Sequence, residues 1–407
     1  MKIRAKYLWR ADGSVLENAI LETRGKKIVS ARRIGAKPTG RGVRDLGDAI
    51  ILPGFVNAHT HLELSSLRGR VRSGRDFARW LEKVRALRAG MTARDLRMSS
   101  RAGVEESLRS GTTTIVDHGY TGTSLRPLRA AGLRAHLVFE MIALHPNRIS
   151  ILEKTYRRMV RESRGSGLLR VGVAPHAPYT ASAELYRSAR KWIGPGQVLS
   201  THLSEHPAER EFLISGEGLL RWLLLRRNMA LHTWEAPRLS PVRYMESLGV
   251  LRRGTLLVHC NYLNGGDIRI LEERRMPVVY CPRSHAFFQH TKHPVHRLRR
   301  AGVCVALGTD SLTSNRSLSI LDEMKFLAGK RGDLAPQDLF EMGTRDGARA
   351  VMGNQQAGVV ARGRLSDLTA VSVSRGRRRP LERALDDDSR VLITLVDGKV
   401  VFDASTE

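Results

Sequence analysis

Cysteine is scarce. Only Cys260, Cys281 and Cys304 occur among 407 residues, and no two form a C-x-x-C pair. That excludes a disulfide framework and an all-cysteine zinc site, and it fits a reducing, cytoplasmic setting. No apolar run approaches the roughly 18 residues of a membrane helix. The opening "MKIRAKYLWRADGS" lacks the apolar core of a secretory signal. Acid is short as well: 40 Asp+Glu against 68 Lys+Arg leaves a net charge of +28. Such a chain attracts anions, nucleic acid among them. Yet aromatics are only 5% of the chain, the arginines are spread along its whole length, and no RNP stretch or zinc finger is present. The H-x-E and P-C-x-x-C signature of polynucleotide base deaminases is missing too. A nucleic-acid-binding protein is therefore the disfavoured reading. A small-molecule partner is expected and no membrane, and the composition is compatible with a homo-oligomer.

What is there is a core. Hydrophobic residues make up 42%, and 407 residues suffice for one large domain with a smaller satellite or for two ordinary domains. Both ends read as β structure: "KIRAKYLW", "VLENAILETRGKKIVSARRI" and "VRDLGDAIILP" at one, "DLTAVSVS" and "RVLITLVDGKVVFD" at the other, the last a hairpin turning at Asp397-Gly398. The expectation is a composite β-sandwich domain from residues 1–50 and 361–407. Between them eight short apolar runs alternate with helix-period stretches such as "ARDLRMSSRAGVEESLRS" and "LSILDEMKFLAGK". That alternation predicts an α/β fold, a (β/α)8 TIM-type barrel over residues 51–360.

In such barrels the chemistry sits at the C-terminal ends of the strands. The run ends carry His59 and His61, His118, His176, His202 with Glu205, His259, Arg283 with His285, and Asp310. The spacing in "VNAHTHLELSS" delivers two imidazoles to one side of an extended strand, as a shared metal requires. A lone H-x-H is weak evidence, and Asp310 alone reads equally well as a helix cap. The convergence of the set on one end of the barrel is the stronger signal. His206, His290, His293 and His296 read as ordinary loop or helix-start residues, and Cys260 and Cys281 as packing. Trp80 suits either a pocket mouth or the core.

The ordered motifs "GFVNAHTHLE", "GTTTIVD", "APHAPYT", "THLSE", "LVHC" and "ALGTDS" resemble the amidohydrolase superfamily over nearly the whole chain, in the branch of nucleoside deaminases and triazine chlorohydrolases. The resemblance implies that His59, His61, His202 and Asp310 bind one divalent metal ion, Zn2+ first and Fe2+ as the alternative. It makes Glu205 the proton-shuttling acid, His259 the histidine that contacts the hydrolytic water, and His176 a substrate contact. Dinuclear members carry a carboxylated lysine on the fourth strand; "LRVGVAPHAP" has none, so a single ion is expected. The chemistry agrees, since three imidazoles and a carboxylate leave a coordination position for water.

The variant signatures "HTHLELSS", "CPRSHAFFQH" and "GTDSLTSN" look most like aminodeoxyfutalosine deaminases of the futalosine route to menaquinone. That implies a purine nucleoside substrate with a benzoate at its 5′ side. Arg283 and His285 would read the carboxylate, Phe287 and Phe288 the ring. Glu63 would bind a ribose hydroxyl. The alternatives are deamination of adenosine, methylthioadenosine or S-adenosylhomocysteine, or removal of another leaving group from a heteroaromatic ring; the presence of Glu205 favours deamination.

Overall fold

The computed structural model describes residues 1–35, 42–72, 74, 76–229, 231, 234–353 and 356–406. These form two sheets of eight strands each. In the first, both termini meet on Ala49–Pro53. This strand pairs in parallel with Lys2–Trp9, Tyr7 opposite Ile50, and antiparallel with Leu368–Ser372, Leu368 opposite Pro53. Val15–Arg24 and Lys27–Arg33 extend one side of the sheet, Val391–Val396 and Lys399–Asp403 the other, while Val43–Asp45 also pairs with Lys2–Trp9. Ile3, Ala5, Leu21, Ile51 and Ile393 on one face make a core of their own. Tyr7, Trp9, Ile50 and Leu52 on the other join the main core. The C-terminal hairpin turns at Asp397 (φ 49°) and Gly398 (φ 75°), the doubly left-handed pair of a tight hairpin turn.

The apolar run over 49–60 carries two strands rather than one. Gly54 separates them, and a Cβ there would lie 2.2 Å from the Thr113 side chain; only glycine lets the chain pass this close from one sheet into the other.

The second sheet is the expected barrel. Its parallel strands are Phe55–Thr60, Thr112–Gly119, Arg134–Met141, Leu169–Pro175, Leu199–Leu203, Thr255–His259, Val278–Tyr280 and Val305–Leu307, each beside its sequence neighbour. Closure of the first strand on the eighth comes from the backbone N–H groups of Thr309 and Asp310, which donate to the His59 carbonyl at 3.0 and 3.1 Å. Asn57 reinforces it, donating to Thr309 Oγ1 at 2.8 Å. Small branched residues, among them Val56, Val116, Val138, Val258 and Val279, form one buried cluster across the strands. Cys260 and Cys281 are buried in the two barrel cores, and burial pushes both thiols well above their ordinary range. Among the described residues no helix is long and apolar enough to cross a membrane.

Candidate metal centre and active site

Strand closure places the first cluster. Thr60 bridges Asp310 across the seam, so the end of the first strand and the residue beyond the eighth share one volume. There His59, His61, His118 and His202 each present a ligand nitrogen, all within 4.8 Å of one another. Asp310 Oδ1 lies 3.5 Å from His59 Nε2 and 3.6 Å from His61 Nε2.

These groups have the properties of ligands. Both nitrogens of His59 are buried and lack a hydrogen-bond partner among the described residues. Burial, with His118 beside it, drives its pKa well below the usual imidazole value, so the ring is neutral with a lone pair to give. His202 Nδ1 lies 2.8 Å from the His176 carbonyl; a carbonyl only accepts, so the proton is on Nδ1 and the lone pair on Nε2. Asp310 is held by Ser284 Oγ at 2.6 Å and Ser314 Oγ at 2.8 Å on Oδ2, and by the Ser311 amide at 2.7 Å on Oδ1. Burial alone would raise its pKa, but His59, His61 and His259 outweigh that and keep it a carboxylate. Its backbone is left-handed, φ 58°, and it caps no helix: the next begins at Ile320 under Ser319. An unpartnered buried imidazole, His59, beside an oriented one, His202, and an anchored carboxylate, Asp310, is a donor set that fits a divalent ion.

Glu205 follows the fifth strand in a turn where Ser204 has φ 51°. The turn is fixed by Glu209, whose carboxylate accepts from the Ser204 amide at 3.0 Å and the Glu205 amide at 3.1 Å. Glu205 Oε1 lies 3.6 Å from His259 Nε2. Burial, then Asp310, Glu209 and Glu140, push its pKa well above the carboxylate range, so it holds a proton. His259 is left-handed too, φ 74°, and its carbonyl accepts from His293 Nε2 at 2.9 Å. His176 Nδ1 meets Thr180 Oγ1 at 2.7 Å.

One cavity exposes His61, His118, His176, His202, His259, Glu140, Glu205 and Asp310, and its walls include Glu63, Trp80, Arg85, Arg88, Tyr120, Tyr179 and Arg227. Trp80 serves both readings: it lines this wall and also packs edge-on against Phe288 at 4.9 Å.

Three expectations need correcting. Glu63 is not a free hydroxyl-binding carboxylate, because the amides and hydroxyls of Thr121 and Thr123 all donate to it. Arg283 and His285 do not line the cavity. "PRSHAF" is a helix, Pro282–Phe287, so its period sends Ser284 to Asp310 and Arg283 away, to 3.7 Å from Asp322. His285 packs against Tyr280, His290 and His293 instead. Phe287 and Phe288 stay with that helix, Phe288 buried against Phe77. His293 is not a loop residue of no consequence, since it is buried and bonded to His259.

Sequence reasoning passed over four residues. Glu140 ends the third strand, its Oε1 3.8 Å from His118 Nδ1 and both atoms without hydrogen bonds among the described residues; the strand-end rule would have found it. Glu209 occupies the first turn of helix Pro207–Ser215, where an acid signals a capping role. Ser284 and Ser314, which clamp Asp310, carry no sequence signal.

An amidohydrolase family model matches residues 50–401. The chain is 30% identical over 388 residues to a 5′-deoxyadenosine deaminase of Methanothrix thermoacetophila, covering 92% of this chain and 86% of that one. It is 29% identical over 398 residues to a 5-methylthioadenosine/S-adenosylhomocysteine deaminase of Thermococcus kodakarensis, covering 92% and 88%. The fold matches the crystal structure of Helicobacter pylori aminofutalosine deaminase in complex with methylthio-coformycin, with TM-score 0.85 and 20% identity over 98% of this chain and 100% of that one. The chain belongs to the amidohydrolase family.

Proposed function

We propose that this chain hydrolytically deaminates an adenine nucleoside, releasing ammonia and leaving the 6-oxo purine. The observation that carries the reading is Glu205 Oε1 placed 3.6 Å from His259 Nε2, in the cavity that also exposes His61, His202 and Asp310, with burial and the neighbouring carboxylates favouring its neutral acid form. His59, His61, His202 and Asp310 would hold a divalent ion, Zn2+ by this donor set or else Fe2+, which would supply Lewis-acid activation of water, lowering its pKa towards about 7. Asp310, kept ionised by its histidine neighbours, takes one proton from water as its oxygen adds to C6. Glu205 gives its proton to N1, relays the one held by Asp310 to the departing amine, and takes back the remaining hydroxyl proton as the 6-oxo group forms. His259 orients the attacking oxygen. His176, its Nδ1 fixed by Thr180, presents Nε2 to the purine.

The two deaminases named above support an adenine nucleoside as substrate. The resemblance of "CPRSHAFFQH", with the fold shared with an aminofutalosine deaminase, supports aminodeoxyfutalosine and hence the futalosine route to menaquinone. Methylthioadenosine, S-adenosylhomocysteine and 5′-deoxyadenosine are the alternatives. The test is ammonia release from these five-prime variants, with adenosine, guanine and cytosine alongside. The reading predicts turnover confined to adenine nucleosides; turnover of guanine or cytosine instead would overturn it.

A further inference from the structure

The turns that leave the fifth and sixth strands are strained side by side. Ser204 has φ 51°, and His259 and Cys260 follow one another at φ 74° and 52°. A residue with a Cβ enters this left-handed region at a cost, and two in a row persist only where their surroundings over-determine them. Here backbone bonds between the two turns do so. The Cys260 amide donates to the Leu203 carbonyl at 2.9 Å, and the amides of Asn261 and Tyr262 donate to the Ser204 carbonyl at 3.0 and 3.2 Å. Asn261 adds its side chain, whose Nδ2 donates to the Glu205 carbonyl at 2.9 Å. The two turns are thereby joined into one piece, and that piece carries Glu205 and His259.

His293 holds the piece from behind. It is 1% exposed, and its Nε2 donates to the His259 carbonyl at 2.9 Å. A carbonyl only accepts, so the ring's proton is on Nε2; Nδ1 is buried with no hydrogen-bond partner among the described residues. An apolar ring would fill this place without burying an unpaired nitrogen, so packing alone does not account for a histidine here. The ring is itself firmly seated. It lies flat on Tyr280, with 3.8 Å between centroids and 13° between planes. The His293 carbonyl accepts from Arg331 Nη1 at 3.2 Å, and Asp333 clamps Arg331 at 2.7 and 2.8 Å. Three residues earlier, His290 Nδ1 meets the Tyr262 hydroxyl at 3.0 Å, so the same loop grips the sixth-strand turn at a second point.

We infer that His293 and Asn261 are positioning residues, which act through the carbonyls of His259 and Glu205 to fix the 3.6 Å between Glu205 Oε1 and His259 Nε2. The inference rests on the nucleoside deaminase reading for what that separation accomplishes. Neither side chain lines the cavity, so neither touches substrate. The acid and the water-orienting imidazole are set by their backbones, and each backbone is set by one side-chain donor behind it. A displacement of about 1 Å at such a pair can cost about 10²-fold in rate.

The test uses the metal-loaded enzyme with methylthioadenosine and aminodeoxyfutalosine, and crystal structures of the same variants. His293→Phe keeps a ring on Tyr280 and removes the donor. It is expected to lower kcat about 10- to 100-fold with KM and metal content unchanged, and to open the Glu205–His259 separation. His293→Gln, whose Nε2 can reach the same carbonyl, is expected to recover most of the loss, which a purely packing role would not allow. Asn261→Leu keeps the size and loses the donor. It is expected to open the same separation from the Glu205 side, and it keeps the test decisive if His293→Phe does not fold. Unchanged kcat in His293→Phe at full metal content, equal losses in Phe and Gln, or a separation unmoved in either donor-less variant would overturn the inference. If wild type releases no ammonia from either nucleoside while the separation still opens in the variants, the deaminase reading falls and the positioning stands.

Discussion

His202 gives its Nδ1 proton to the carbonyl of His176 at 2.8 Å, so a residue of the fifth strand is oriented by the end of the fourth. One lone pair, on Nε2, remains to His202, and it cannot serve two ions. The fourth strand, Leu169–Pro175, has no lysine to bridge a second. We expect metal-stripped protein to take up one ion per chain, and His202→Ala and His61→Ala to lose it, by elemental analysis. Two ions per chain would contradict this assignment.

Glu205 follows the same strand but meets His259. Glu205→Gln is expected to keep the ion and lose about 10²- to 10⁴-fold in kcat, the usual effect of removing a general acid. Loss of metal in this variant would make Glu205 a ligand instead.

Glu209 acts through Glu205. Gln at this position keeps one acceptor oxygen and turns the other into a donor facing an amide. Glu209→Gln is expected to lower kcat while KM and metal content hold, and to cost about 1–3 kcal/mol of stability in denaturant titration. A stability loss with unchanged kcat would reduce Glu209 to scaffolding.

Acid sensitivity follows from three buried imidazoles. His118, His136 and His176 are pushed down to about 3, by burial first. A depressed imidazole pKa makes the folded chain refuse a proton that the unfolded chain accepts below about 6.5. Their contribution is therefore complete above about pH 6.5 and is lost as pH falls towards 3, by about 1 kcal/mol per pH unit for each histidine. His136, on the third strand between Arg134 and Arg170, lies outside the cavity lining. Denaturant titration of metal-stripped protein should show stability falling from about pH 6.5 to 5, less steeply in His136→Gln. A flat profile would contradict the depressed values.

The barrel, the composite terminal sheet and the gathering of histidines and acids at one end of the barrel were legible because each rests on a local pattern: alternation of runs, turn chemistry at Asp397-Gly398, and polar residues at run ends. The residues misread or missed depend on what lies across space. Arg283 reads as a carboxylate contact in sequence, but the helix Pro282–Phe287 turns Ser284 towards Asp310 and Arg283 towards Asp322. Glu63 looked free because its partners, Thr121 and Thr123, follow a different strand.

The central claim is that the strand-end cluster makes this chain a metal-dependent adenine nucleoside deaminase. Its most direct test is ammonia and 6-oxo purine formation from an adenine nucleoside by chelator-stripped protein titrated with Zn2+. Turnover absent at the start, rising linearly and levelling at one equivalent per chain, with ammonia and 6-oxo product formed in equal amounts, is the predicted result. Full turnover by the stripped protein, or a plateau reached only at two equivalents, would contradict the account.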